Sequence, residues 1–170
     1  MAIDTLRPQP VPNKPYPHEQ NPLEYSPEDV PNVYASICKG DCLSPIFEDG
    51  ACLVFSKEQR PEPGDFVGFW LHPDAIAPGE HPRRVKRLVM GLPNHLSLPY
   101  SVQPGDEVEP VIIVEQLNPP KTYQVRASRM LAMHRVVGEA EADGTGQARM
   151  VRQMVGGQMM RYHPEETAGA

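Results

Sequence analysis

The chain reads as short apolar runs cut by turn residues. Val33-Tyr34-Ala35-Ser36-Ile37-Cys38, Ala51-Cys52-Leu53-Val54-Phe55 and Phe66-Val67-Gly68-Phe69-Trp70 have strand composition. Asp49-Gly50 and Pro63-Gly64-Asp65 separate them. Such runs, rich in β-branched and aromatic residues and bounded by turns, predict strands. Glycine supplies the positive φ of those turns and proline presets φ at the corner. Further on, Arg83 to Met90 predicts a basic strand, and Val108 to Gln116, centred on Val111-Ile112-Ile113-Val114, a buried one. Asn118-Pro119-Pro120 breaks the pattern and Thr122 to Val125 resumes it. Met130 to Val137 fits either a strand or a short helix. His72 to Pro82, Gly91 to Pro99 and the polar Glu139 to Gln147 read as loops. In the last segment Met150/Met154 and Val151/Val155 recur at i,i+4, which predicts an amphipathic helix over 148–155, interrupted by Gly156-Gly157. His163 to Ala170 reads as a frayed tail.

Composition sharpens this picture. With 21 Pro and 13 Gly among 170 residues, a bundle of long helices is excluded. Eight of the prolines fall between Pro8 and Pro31, so residues 1–32 are expected to form an extended, polyproline-like arm. Tyr16, Leu23, Tyr25 and Val30 are the residues expected to tack it to the fold. Residues 33–138 are expected to form a small all-β domain of six or seven strands. Residues 139–170 follow as a polar loop, a Met-rich segment and a tail.

Charge and special residues mostly exclude. The formal net charge of −6 argues against a nucleic-acid coat. No run approaches the roughly 20 apolar residues of a membrane span, and Met1 to Pro12 lacks a signal-peptide core. A cytoplasmic protein with no membrane contact is the expectation. Cys38, Cys42 and Cys52 form neither a disulfide framework nor a CxxC zinc motif. The six histidines have no ligand spacing, so no metal or cofactor is expected.

Two residues invite chemistry. Cys42 follows Gly40-Asp41 in a tight turn before Ser44-Pro45, where backbone N–H groups can converge beside a nucleophile. Lys86 shares a strand face with Leu88, and a lysine in apolar surroundings sheds its proton more readily. Yet a single cysteine is more often buried packing, and a lysine in a basic strand is usually solvated. The run Arg83, Arg84, Lys86, Arg87 is also the one place that suggests phosphate contact.

Gly40-Asp41-Cys42-Leu43-Ser44-Pro45, followed by Asp49-Gly50 and an apolar strand, resembles the nucleophile motif of the LexA-like peptidases. These are the self-cleaving domains of SOS and phage repressors. Pro63-Gly64-Asp65-Phe66-Val67 resembles their next element, and Arg84-Val85-Lys86-Arg87-Leu88 their lysine strand. Gln116-Leu117-Asn118-Pro119 and Met133-His134-Arg135-Val136-Val137-Gly138 resemble two later landmarks, in the family's order. The resemblance implies an all-β fold of small, strongly bent mixed sheets, with Met130–Val137 as a strand and a short C-terminal helix as an appendage. It places Cys42 as nucleophile, Lys86 as proton carrier, and Gly40, Asp41, Leu43 and Pro45 in the motif turn. Signal peptidases share much of this motif but require a membrane anchor.

Three departures bear on function. Cysteine stands where the family has serine, and leucine where methionine follows it. No Ala-Gly or Cys-Gly dipeptide precedes Cys42; Ala168-Gly169 lies at the far end. A Pro-rich arm stands where a repressor carries its helix-turn-helix, so direct sequence-specific DNA binding is not expected. The resemblance therefore implies a stand-alone regulatory interaction module with weak or no peptidase activity. It would partner itself as a homodimer or another regulatory protein, through the strand near Val136 and the Met-rich segment. The alternative is an active Cys–Lys peptidase that cleaves itself or a partner.

Overall fold

The computed structural model describes residues 9–10, 26–78, 80–142 and 148–162. Among these the chain is built from strands and three short 3-10 turns, with no α-helix. The strands are β1 (Gln9–Pro10), β2 (Val33–Ile37), β3 (Cys52–Ser56), β4 (Phe66–Leu71) and β5 (Arg83–Met90). They continue as β6 (Val111–Leu117), β7 (Pro120–Arg126), β8 (Met130–Ala142), β9 (Ala148–Val155) and β10 (Gln158–Arg161). One ten-stranded sheet runs β1-β2-β3-β8-β4-β5-β6-β7, with the β9–β10 hairpin joined to β8. All pairs are antiparallel except β1–β2.

β8 organises the sheet. Its first half pairs with β4 (Gly68↔His134) and its second with β3 (Val54↔Gly138) and β9 (Gly138↔Gln153). One 13-residue strand shared among three partners, with register shifts against each, forces the sheet to bend. At Gly138 strands β8 and β9 approach closely: a Cβ there would lie 2.5 Å from the Arg152 carbonyl oxygen.

β4 is apolar on both faces. Phe66 and Trp70 enter one core with Tyr34, Leu43, Phe47, Leu53, Phe55 and Val136. Val67 and Phe69 enter a second core with Leu88, Ile112, Val114 and Met130. That two-sided burial explains why β4 reads as a continuous apolar run rather than an alternating one.

The helix expected over 148–155 is strand β9. A four-residue spacing is also two steps of the strand period, and the register shift between Arg152 and Met150 sends Met150 to the cluster of Val54 and Ala140 and Met154 to the first core. Gly156 and Gly157 both have positive φ (57° and 79°), the signature of a two-residue hairpin turn rather than of an interrupted helix. The loop expected from Glu139 also begins as strand, since β8 runs to Ala142. Val136, expected at a contact surface, is fully buried in the first core. Met154 and Met159 pack on that core too, while Val155 and Met160 are about half exposed.

The chain before β2 enters through a capped 3-10 turn, Pro27–Asp29, with Ser26 and Asp29 exchanging side-chain-to-backbone bonds. Val30 is buried in the first core as expected. Tyr16, Leu23, Tyr25 and the tail from His163 lie outside the described residues.

Candidate active site

The segment between β2 and β3 is a turn pinned from both ends. Leu43 and Phe47, each 1% exposed, insert into the first core, where Phe47 meets Phe66 edge to face at 5.0 Å. Backbone bonds from Ser44 to Asp41 and from Ile46 and Phe47 to Leu43 coil the segment. Gly40 takes φ +92° and donates its N–H to Asp49 Oδ1 at 2.7 Å. The Gly40-Asp41 and Asp49-Gly50 signals thus belong to one closed loop. Leu43 acts as its anchor, and Pro45 is exposed on its outer side.

This loop leaves Cys42 half-buried at its apex, with the sulfur 3.4 Å from Lys86 Nζ. Lys86 is delivered by β5, which pairs with β4 (Val67↔Lys86) over its first half and with β6 (Arg87↔Glu115) from Arg87 onward. The Lys86 ammonium also lies 5.8 Å from the Tyr123 ring centroid, a cation–π contact from β7. Two residues 44 positions apart therefore share one contact.

The β6–β7 turn clamps the other side of the loop. Leu117 and Asn118 both donate backbone N–H groups to the Cys42 carbonyl oxygen, at 2.7 and 3.1 Å. The Asn118 side-chain amide reaches the Asp41 carbonyl and carboxylate, each at 3.4 Å. Among the described residues, nothing accepts the backbone N–H groups of Asp41, Cys42 or Leu43. The turn thus ties its carbonyl to the β6–β7 clamp and leaves these N–H groups without a protein acceptor, which an oxyanion-binding turn requires. The clamp was signalled in the sequence only as a motif, Gln116-Leu117-Asn118-Pro119. Its work is done by backbone atoms that no residue type reveals.

A second cysteine shares this environment. Cys38, directly after β2, packs on the same core as Cys42. Burial holds the Cys38 thiol above its ordinary range, the nearby Cys42 charge adds to this, and Arg83 and Lys86 oppose it.

The basic run of β5 does not form one patch. Arg84 pairs with Glu80, and Arg87 pairs with Glu115 at 2.7 Å. Arg83 is only 8% exposed. Its guanidinium stacks 4.7 Å from the Phe55 centroid and 5.5 Å from Trp70, and it donates to Ser36 Oγ. Strand alternation and the β4 register send these four cations to separate places, so no phosphate-binding row exists there.

Beneath Arg83 lies a buried polar group. His134 Nδ1 sits 2.7 Å from the Tyr34 hydroxyl and 3.3 Å from Trp70 Nε1. The indole nitrogen is a donor only, so Nδ1 accepts and carries no proton. Burial first, then the charges of Lys57 and Arg83, push the His134 pKa down to about 4. His81, whose Nδ1 accepts the Arg83 N–H, is held at about 4 by burial and by Arg83. His72 lies 3.5 Å from Asp74. Among the described residues no group of His, Cys, Asp or Glu is placed to hold a metal ion. No described helix is long and apolar enough to cross a membrane.

No protein-family model matches the chain, and no solved structure matches it significantly. Over 111 residues the chain is 27% identical to a curated protein, Repressor protein C of Rhizobium phage 16-3. That stretch covers 65% of this chain and 36% of the repressor, so the match spans about a third of the relative's length.

Proposed function

We propose that the chain is a LexA-like regulatory domain in which Cys42 and Lys86 form a working dyad that cleaves an extended peptide. The observation that carries this reading is the 3.4 Å contact between Cys42 Sγ and Lys86 Nζ, in a turn whose N–H groups at 41–43 have no protein acceptor among the described residues. A cysteine kept only as packing would have no need of a lysine brought from a strand 44 residues away. The likeness to a phage repressor supports the regulatory setting.

In this reading the Cys42 sulfur attacks the scissile carbonyl carbon, and the Asp41 and Cys42 N–H groups receive the oxyanion. The tetrahedral species collapses with loss of the amine, which takes its proton from Lys86. A thioester on Cys42 remains. Water then attacks it, giving its proton to neutral Lys86, and the free acid departs as the thiol side is restored. Three free cysteines fit a reducing compartment such as the cytoplasm. The partner that such a domain regulates is a second copy or another regulatory protein.

The test is cleavage of a peptide library by the reduced full chain, read by mass spectrometry. Fragments are expected with the native chain and are lost in Cys42→Ala and Lys86→Met. Cleavage that survives Cys42→Ala overturns the assignment. A second reading, a module that binds without turnover, is favoured by the lack of an Ala-Gly or Cys-Gly site before Cys42. It predicts no fragment in any variant.

A further inference from the structure

The dyad reading leaves one nearby residue without work. Cys38 directly follows β2, four positions before Cys42 and across the Gly40 turn. Its backbone is fixed by bonds to Ala51 and Gly50, and Cys38 and Cys42 both pack against the first core. Cys38, Cys42 and Cys52 are all free. Cys52 lies elsewhere: it packs with Val54, Ala140 and Met150 in a third cluster.

We infer that Cys42 is a peroxide-oxidisable site resolved by Cys38, so that a Cys38–Cys42 disulfide reversibly removes the nucleophile. The oxidant is hydrogen peroxide. The Cys42 thiolate attacks one peroxide oxygen, the O–O bond breaks, and the leaving hydroxide takes a proton from Lys86 to depart as water. The sulfur, oxidised by two electrons, is now a sulfenic acid. The Cys38 sulfur then attacks the Cys42 sulfur, the S–O bond breaks, and water leaves with the Cys38 proton. Two thiols and one peroxide become one disulfide and two waters.

The order of events follows from the surroundings. Cys42 is half-buried with Lys86 Nζ at 3.4 Å, within reach to give the leaving oxygen its proton. Cys38 is held protonated by burial and by the Cys42 charge. The sulfenic acid on Cys42 then presents an electrophilic sulfur to Cys38. The inference rests on reading Cys42 and Lys86 as a reactive pair, not on peptide cleavage.

The experiment is stoichiometric hydrogen peroxide added to the reduced full chain, followed by alkylation and peptide mapping. The expected product is a Cys38–Cys42 linked peptide with Cys52 still alkylated, and dithiothreitol restores the starting mass. In Cys38→Ser the expected product is a Cys42 sulfenic acid, trapped by a dione reagent. In Lys86→Met the oxidation slows by about tenfold. Oxidation of Cys42 and Cys52 at equal rates overturns the inference. So does accumulation of Cys42 sulfinic acid with Cys38 still free. A chain that forms the disulfide but cleaves no library peptide upholds this inference while refuting the peptidase reading.

Discussion

Acid should weaken this fold through one buried histidine. His134 is 5% exposed, and its Nδ1 accepts from both Tyr34 and Trp70. Protonation would place a hydrogen where two donors already point and a charge next to Lys57 and Arg83. Burial first, and then the charges of Lys57 and Arg83, hold the pKa at about 4 in the folded chain, against 6.5 for a free side chain. The unfolded state binds the proton more readily, so its contribution to stability is fully present above pH 6.5 and is lost as pH falls toward 4. At 1.36 kcal/mol per unit, the loss is about 2 kcal/mol by pH 5 and about 3 kcal/mol by pH 4. His81 titrates in the same direction, so the native slope exceeds that of one group. The assay is urea denaturation at half-unit steps from pH 4 to pH 7, on the native chain and on His134→Asn. Asparagine keeps an acceptor near the Nδ1 position and does not titrate. Its absolute stability will be lower from lost ring packing, so the comparison is of slopes. A shallower slope between pH 4 and 6.5 in His134→Asn is expected. Equal slopes in the two chains would refute the argument.

Other substitutions separate the anchors of the site from its chemistry. Leu43→Ala, in the fully buried foot of the Cys42 loop, should cost about 2–5 kcal/mol by thermal or urea unfolding and slow alkylation of Cys42. Gly138→Ala should destabilise by at least about 1 kcal/mol, because its new methyl meets the Arg152 carbonyl at 2.5 Å; a differential melt reads this directly. In the β9–β10 turn, Gly156→Asn should leave the melting temperature nearly unchanged, since Asn-Gly suits this turn. Gly157→Val should lower stability by about 1–2 kcal/mol and open the hairpin to limited proteolysis.

The sheet was legible where a strand is short, apolar and bracketed by Gly or Pro. β2, β3, β4 and β6 meet that description, and their limits fall within a few residues of those expected. The end of β8 was hidden because Gly138 and Ala140 face the interior while Glu139 and Glu141 alternate with them. Small buried residues between acidic ones look like a loop. β9 was misread because methionines four apart satisfy both periods, and the deciding signal was the Gly-Gly pair. At the site, Cys42 and Lys86 were legible through a motif alone, since 44 residues of chain separate them and neither composition nor periodicity links them. The Leu117 and Asn118 N–H clamp acts through backbone. The burial of Arg83 depends on its pairing opposite Trp70, which no local pattern in the chain announces.

Activation of Cys42 as a nucleophile by Lys86 is open to a direct measurement. Acylation tests it without a known substrate: the reduced chain is mixed with p-nitrophenyl acetate, and the modified cysteine is found by mass spectrometry over time. The account predicts that Cys42 is acylated first, that the acyl group is then hydrolysed, and that Lys86→Met slows both steps. Acylation of Cys42 no faster than of Cys52, or unchanged by Lys86→Met, would contradict it.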